Sequence, residues 1–469
     1  MRFQQHFRPV VLGLSAIVLT GCATFSPDGG LDAVSSMTNE RTNQSVQFSK
    51  PDANTASDGT NVNQLLSKPL TPDTAVQVAL LNNKGLRVSL AELGIAEADL
   101  VQAGRMRNPS FSFGRMTGGG AVEIERSIMF DLIGLLTIPV RSNIEGRRFE
   151  QAKLRAASQA IRLAADTRKA YFTAVAAQQT VQYTDQVRTA AEASAQLATR
   201  MAKVGNFSKL DQAREQAFYA DATAQIARAR HNATAAREQL SRFMGVWGDN
   251  TAFQLPDRLP DLPKAPGDIG NIEMQAMQQR LDVQMAKGDA EMTASALGLS
   301  KATGFINVLH AGYNNKSVSG APREDGYEIE LALPIFDWGG SRTAKAEAIY
   351  MQSVDRAADT AVRARSEVRE SYSAYRTSYD LARHYRDEVI PLRQKISEEM
   401  LLRYNGMLVG IFELLADARA QIASVNTAIE AQRDYWLAET DLQAAINGTG
   451  GASTQMRGPA SGGSAAPAH

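Results

Sequence analysis

Residues 326–340 read GYEIELALPIFDWGG, and they limit the possible folds more than any other stretch. Tyr327, Ile329, Leu331 and Leu333 alternate with Glu328, Glu330 and Ala332, the period of a strand with one apolar and one wet face. Pro334, a short apolar run and Gly339-Gly340 follow. The chain then continues for about sixty residues with almost no Pro or Gly, the pattern of one long helix that Pro391 should kink.

The same order occurs earlier in the chain. Thr71 and Pro72 open a helical pattern that lasts to about Gly104 and is broken by Asn108-Pro109. Phe111-Ser112-Phe113 begins a strand, and Gly118-Gly119-Gly120 is a turn. Val122, Ile124, Arg126, Ile128 and Phe130 then alternate with Glu123, Glu125, Ser127, Met129 and Asp131, with Pro139 expected to end the section. From about Gly146 to Val204 the pattern is helical, roughly 85–90 Å at ~1.5 Å per residue. Gly205-Asn206 interrupts it, and a second helix runs to Met244.

After the prolines at 256, 260, 263 and 266, the order helix, strand, strand, long helix, turn, helix returns. A helix is expected over 270–298, a strand over Phe305–Tyr313 and a last helix ending near Asn447-Gly448. The chain is an internal duplication. Its expected parts are a signal peptide (1–21), a flexible tether (22–61), a first repeat (62–248), a Pro-rich connector (249–268), a second repeat (269–448) and a disordered tail (449–469).

Two-stranded hairpins are marginal alone, and four strands cannot close around a lumen. Strands with an apolar outer face need lipid, where open sheet edges are not tolerated. Oligomerisation into one closed barrel resolves both difficulties and turns the wet faces inward. The Ala-rich helices have no partner domain and are expected to pack as antiparallel hairpins with coiled-coil geometry.

Formal net charge is zero and mean hydropathy is −0.26, so nothing points to nucleic acid and no apolar run of eighteen residues crosses a membrane. Arg2 and Arg8 precede the short apolar run Val10–Leu19, a signal h-region. Leu19-Thr20-Gly21-Cys22 resembles a bacterial lipobox, which makes Cys22 the lipidation site. Cys22 is the only cysteine, which excludes an intrachain disulfide or cysteine metal site. Ala23 follows it; by resemblance to enterobacterial lipoproteins, this favours the outer membrane.

The duplication, ALPIFDWGG at 332–340, RYNGMLVGIFELLADARAQ at 403–421 and its counterpart GNFSKLDQAREQ at 205–216 resemble the TolC family of outer-membrane efflux channels across about residues 62–448. The resemblance implies a mostly α fold with four strands per protomer. Three protomers would form a twelve-strand barrel and an α-helical periplasmic tunnel. It implies no enzymatic activity and no cofactor beyond the lipid at Cys22. The implied partners are a periplasmic adaptor and an inner-membrane pump.

On these terms Glu123, Glu125, Asp131, Glu328 and Glu330 are pore-lining candidates, or else solvated carboxylates in turns. Glu413 matches an acidic ring that narrows the periplasmic end, although Ala416 stands at the next position of that pattern and Asp417 faces about 100° away. Its alternative role is a favourable charge at a helix N-terminus. Gly205, Asn206, Phe207, Ser208, Gly406, Leu408, Val409 and Gly410 form the turns implied to meet the adaptor, the glycines also serving positive φ. Met274, Met277, Met285 and Met292 fit either a copper(I) run or a packed helix face. No zinc spacing, phosphate loop or nucleophile elbow is present. The expected role is passive exit for small molecules, drugs or metal ions; the alternatives are a type I protein-secretion duct or a structural coiled-coil or adaptor lipoprotein.

Overall fold

The computed structural model describes residues 24–44, 46, 62–268, 270–303, 308–333 and 335–450, with only the backbone of Phe412. Cys22, the signal segment, Pro334 and nearly all of the C-terminal tail lie outside these residues. In order the elements are α1 (Leu31–Thr42), α2 (Pro72–Asn82), α3 (Lys84–Ala103), β1 (Ser110–Gly118), β2 (Ala121–Asp131), α4 (Leu132–Lys203) and α5 (Lys209–Met244). After the connector come α6 (Ile272–Gln279), α7 (Leu281–Ala302), β3 (Leu309–Val318), β4 (Glu324–Leu331), α8 (Gly340–His384), α9 (Ile390–Asn405) and α10 (Ile411–Asn447). The described residues divide into two compact units: those within 1–37, 85–157 and 281–361 hold the sheet, and those within 38–84, 158–280 and 362–469 hold the aromatic cores and hairpin turns.

The duplication extends to small details. Each repeat begins with a short helix, then one extended residue, then a longer helix. The extended residues are Asn83 (φ −66, ψ 117) and Arg280 (φ −61, ψ 122). In both repeats side chains at this break donate to carbonyls at the C-terminal end of the repeat's closing helix, its cap residue included. Asn82 Nδ2 reaches Gly245 O at 2.6 Å and Asn83 Nδ2 reaches Phe243 O at 2.9 Å. In the second repeat Arg280 Nη1 reaches Ala445 O at 2.9 Å. Helix carbonyls at a C-terminus lack partners within the helix, so these contacts supply them. Both closing helices end on a left-handed glycine, Gly245 (φ 67) and Gly448 (φ 74).

Each repeat also uses a tyrosine on its long helix to hold the chain that enters it. Tyr171 OH donates to Leu70 O at 3.0 Å, and burial pushes its pKa up to about 12. Tyr375 OH accepts from Gly267 N at 2.8 Å. The Pro-rich connector is strapped down further: Tyr379 OH donates to Pro263 O at 3.0 Å, and Trp436 Nε1 and Gln432 Nε2 donate to Pro260 O at 3.1 and 2.7 Å. Tyr375, Tyr379, Tyr435 and Trp436 form the aromatic ridge beneath it, with ring centroids 5.0–5.7 Å apart.

Three expectations need correction. Residues 31–42, read from composition as part of a flexible tether, form α1. Asp28 Oδ2 accepts from Asp32 N at 3.1 Å, and Val34 and Thr38, one turn apart, are fully buried. Burial on that face outweighs the polar composition. Secondly, the long helix begins at Leu132 rather than near Gly146, and Pro139 lies inside it. Asp131 ends β2 and caps the helix, its Oδ1 accepting from Gly134 N at 2.7 Å. Thirdly, β3 begins at Leu309 and runs on to Val318, five residues past the expected end at Tyr313; residues 304–307 lie outside the described part. The disturbance expected at Pro391 takes the form of a π-helical turn, Tyr385–Val389, directly before it.

Candidate functional site

The four strands form one antiparallel sheet in the order β1-β2-β3-β4, so β1 and β4 are open edges. Register fixes which residues share a face, because directly paired residues point the same way. Glu123 pairs with Val318 and Met116, Glu125 with Lys316 and Gly114, Asp131 with His310, Glu328 with Gly312 and Glu330 with His310. All five carboxylates named from the sequence therefore lie on one face. Glu324, opposite Lys316, joins them. That face carries six carboxylates against one lysine, with Ser110, Ser112, Ser127 and Asn314 between them.

Local partners differ. Lys316 Nζ lies 2.5 Å from Glu123, and Asn314 Nδ2 donates to Glu125 at 3.0 Å. His310 Nδ1 is 3.0 Å from Glu330. Asp131 is engaged twice, in its helix cap and with Arg107 at 3.4 Å. Glu328 is exposed opposite a glycine, so no side chain faces it from β3.

The other face carries Phe111, Phe113, Ile124, Ile128, Phe130, Ala311, Tyr313, Tyr327, Ile329 and Leu331. Arg126, the exception in the sequence pattern, belongs to a polar row here. Its Nη1 donates to Asn315 Oδ1 at 3.0 Å. Asn315 Nδ2 and Tyr313 OH donate to Asp325 Oδ1 at 2.5 and 2.6 Å. Among the described residues no helix is long and apolar enough to cross a membrane.

The hairpin turns lie in the other unit. Gly205 takes φ +80 with open space around it, and Ser208 caps α5 by accepting from Asp211 N at 3.1 Å. Asn206 is exposed and Phe207 half-buried. In the second turn the left-handed residue is Met407 (φ 58), not a glycine: Gly406 and Gly410 have φ −81 and −80. Met407 and Leu408 are exposed, Val409 half-buried. The positive φ expected of a glycine thus holds at Gly205 and moves to Met407 in the second turn.

Glu413 is exposed in the first turn of α10, and its Oε2 accepts from Gly410 N at 3.2 Å. Asp417 is buried, 4.0 Å from Arg393 across the hairpin. Sequence reading missed two features near the turns. Glu215 is 1% exposed and accepts from Ser194 Oγ at 2.7 Å across the α4/α5 hairpin. Arg419 on α10 stacks over Phe218 on α5 at 4.6 Å, joining the two repeats. The four methionines do not share one helix, because the chain breaks at Arg280 between Met277 and Met285. No group of three His, Cys, Asp or Glu side chains placed to hold a metal ion is found among the described residues.

No protein-family model matches the chain, and no curated protein matches it in sequence. Solved structures match in fold. A membrane protein from Pseudomonas aeruginosa is 20% identical with a TM-score of 0.71, over 80% of this chain and 92% of its own. The CmeC outer membrane channel of Campylobacter jejuni is 15% identical with a TM-score of 0.71, over 91% and 93%. The MtrE outer membrane channel of Neisseria gonorrhoeae, in its open state, is 17% identical with a TM-score of 0.67, over 81% and 89%. At such identities the likeness establishes the fold, and the chain has the protomer fold of the TolC-family outer-membrane channels.

Proposed function

We propose that three copies of this chain close their sheets into one twelve-strand barrel in an outer membrane. Through it, substrates delivered by an inner-membrane pump and a periplasmic adaptor leave the cell. The observation that carries this reading is the sheet: one charged face, one apolar face and two unpaired edges. In lipid those edges need partners, and β1 of one copy can pair with β4 of the next. Twelve strands ~4.8 Å apart at a tilt of ~40° give a circumference of ~75 Å and a backbone radius of ~12 Å, wide enough for a water-filled lumen lined by the carboxylate face. The likeness to solved outer membrane channels supports the same reading.

The N-terminal segment supports lipid anchoring at Cys22. Ser26 N and Oγ both donate to Glu97 at 2.5 Å, near the sheet end of α3. Cys22 is four residues upstream, so it reaches at most ~14 Å from that point. Glu97 is six residues before the end of α3, ~9 Å along the helix. A lipid on Cys22 can therefore reach a membrane at the helix end of the sheet, and one such chain tethers the protein without inserting it.

The exposed turns around Phe207, Ser208, Leu408 and Val409 are the proposed adaptor contacts, and Glu413 the proposed gate residue. A purely structural coiled-coil lipoprotein would need no two-faced sheet. The test is deletion of the gene and growth against a panel of antibiotics, dyes and metal salts. Hypersensitivity to one class, restored by the intact copy, is the expected result. Unchanged tolerance across the panel, together with absence of the protein from the outer-membrane fraction, would overturn the reading.

A further inference from the structure

The apolar face of the sheet is too short for a membrane. Its rows, counted from the helix end, are Leu309 with Leu331, then Phe130 with Ala311 and Ile329, then Phe111 with Ile128, Tyr313 and Tyr327. The next row begins with Phe113 on β1 but is polar from β2 to β4: Arg126, Asn315 and Asp325, bonded in a chain. Beyond it Arg115 and Ser317 stand beside Ile124. Leu331 to Tyr327 is four residues, ~14 Å along the strand and ~10 Å along the membrane normal at a tilt of ~40°. An outer-membrane barrel presents an apolar band ~25 Å tall. A lipid-facing arginine is most costly at the bilayer mid-plane and nearly free at the interface. The Arg126 row therefore marks the outer interface, and the missing height must come from the other end.

That end carries exposed apolar residues on both chain exits. After β4 come Leu333, Ile335, Phe336 and Trp338, which are 67%, 66%, 99% and 67% exposed. After β2 the first turns of α4, residues 132–140, contain no charged side chain, and Leu135, Leu136 and Val140 are exposed. Nine helical residues add up to ~13 Å, which brings the apolar height close to the required band. Arg141 follows at once, a residue type that reaches from an apolar surface to the headgroups. Asp337, the one carboxylate in the second exit, is occupied by Gly339 N at 2.8 Å.

We propose that residues 132–140 together with Leu333, Ile335, Phe336 and Trp338 form an apolar collar immersed in the inner leaflet, so that the lipid-facing surface extends below the strands onto α4. The occupant is the acyl region of the bilayer. This rests on the reading of the sheet as membrane-embedded, and the experiment separates the two.

The full-length protein carrying Trp247→Phe and Trp436→Phe, which leaves Trp338 alone, is reconstituted into phosphatidylcholine vesicles brominated at carbons 6–7 or 11–12. The Trp436→Phe change retains an aromatic ring to stack on Phe172. A parallel protein carries Trp338→Phe and Phe111→Trp in the same background, placing the reporter on the sheet. The expected result is quenching of Trp338 by brominated lipid, at least twofold stronger at carbons 6–7, with little quenching by aqueous iodide. Quenching of Phe111→Trp alone overturns the collar and leaves the barrel standing. Quenching of neither by lipid overturns both. If the tryptophan background does not assemble, Leu136→Cys in the otherwise native chain gives a single unlipidated thiol. Its protection from a membrane-impermeant maleimide until detergent is added supports the collar, and full labelling in intact vesicles overturns it.

Discussion

Replacing Glu328 with Gln should make the channel less cation-selective, by an amount the geometry sets. Glu328 stands opposite Gly312 on the charged face, with no cation facing it from β3. In a barrel of ~12 Å backbone radius its carboxylate lies ~8 Å from the axis. A unit charge at that distance in water is worth ~0.5 kcal/mol, and a Debye length of ~8 Å reduces it to ~0.2 kcal/mol. Three copies together contribute ~0.6 kcal/mol, about one RT. Glu328→Gln should therefore admit about threefold less cation and about threefold more anion, lowering the permeability ratio roughly sevenfold near 0.15 M salt. The assay is the reversal potential across a planar bilayer under a KCl gradient. The effect should vanish near 1 M salt, where the Debye length is ~3 Å. Asp325→Asn is the control: it removes an equal charge from the opposite face of the same strand. Equal shifts from both variants, or none from Glu328→Gln, would refute the assignment of faces.

Further tests concern the body of the protein. Arg280 is 2% exposed and donates to Ala445 O and to Glu367, so Arg280→Met should destabilise by about 3 kcal/mol; Glu367 is partly exposed and can rehydrate, which keeps the loss at the low end. A shift in the denaturation midpoint by circular dichroism measures it. Burial raises the pKa of Glu439 above the ordinary carboxylate range against a smaller pull from Arg168. The folded state then holds a proton that the unfolded chain has lost, so stability is gained as pH falls through that window and lost as it rises. Glu439→Gln should remove this slope from a thermal-denaturation series across pH. Leu408→Asp should leave the oligomer intact yet abolish cross-linking to the adaptor; undiminished cross-linking would place the contact elsewhere.

Strand faces were legible in the sequence because period-two alternation is a local property. Glu123, Glu125, Asp131, Glu328 and Glu330 shared a parity within their strands, and register then aligned the strands. The duplication was legible for the same reason, repeated order needing no tertiary information. What escaped depended on distant partners. The breaks at Asn83 and Arg280 carry no Pro or Gly, and their logic lies in carbonyls about 160 residues away in sequence. Pro139 misled, because the helix start was decided by Asp131 capping Gly134. The α1 segment looked like linker until Val34 and Thr38 found a surface to bury against. Met407 took the left-handed turn position that Gly406 and Gly410 advertised.

The central claim is that this chain is one third of a closed barrel, and the mass of the detergent-solubilised full-length protein tests it most directly. Native mass spectrometry after release from the outer-membrane fraction should give three copies of the chain. A monomer, stable in detergent with both sheet edges unpaired, would contradict the account.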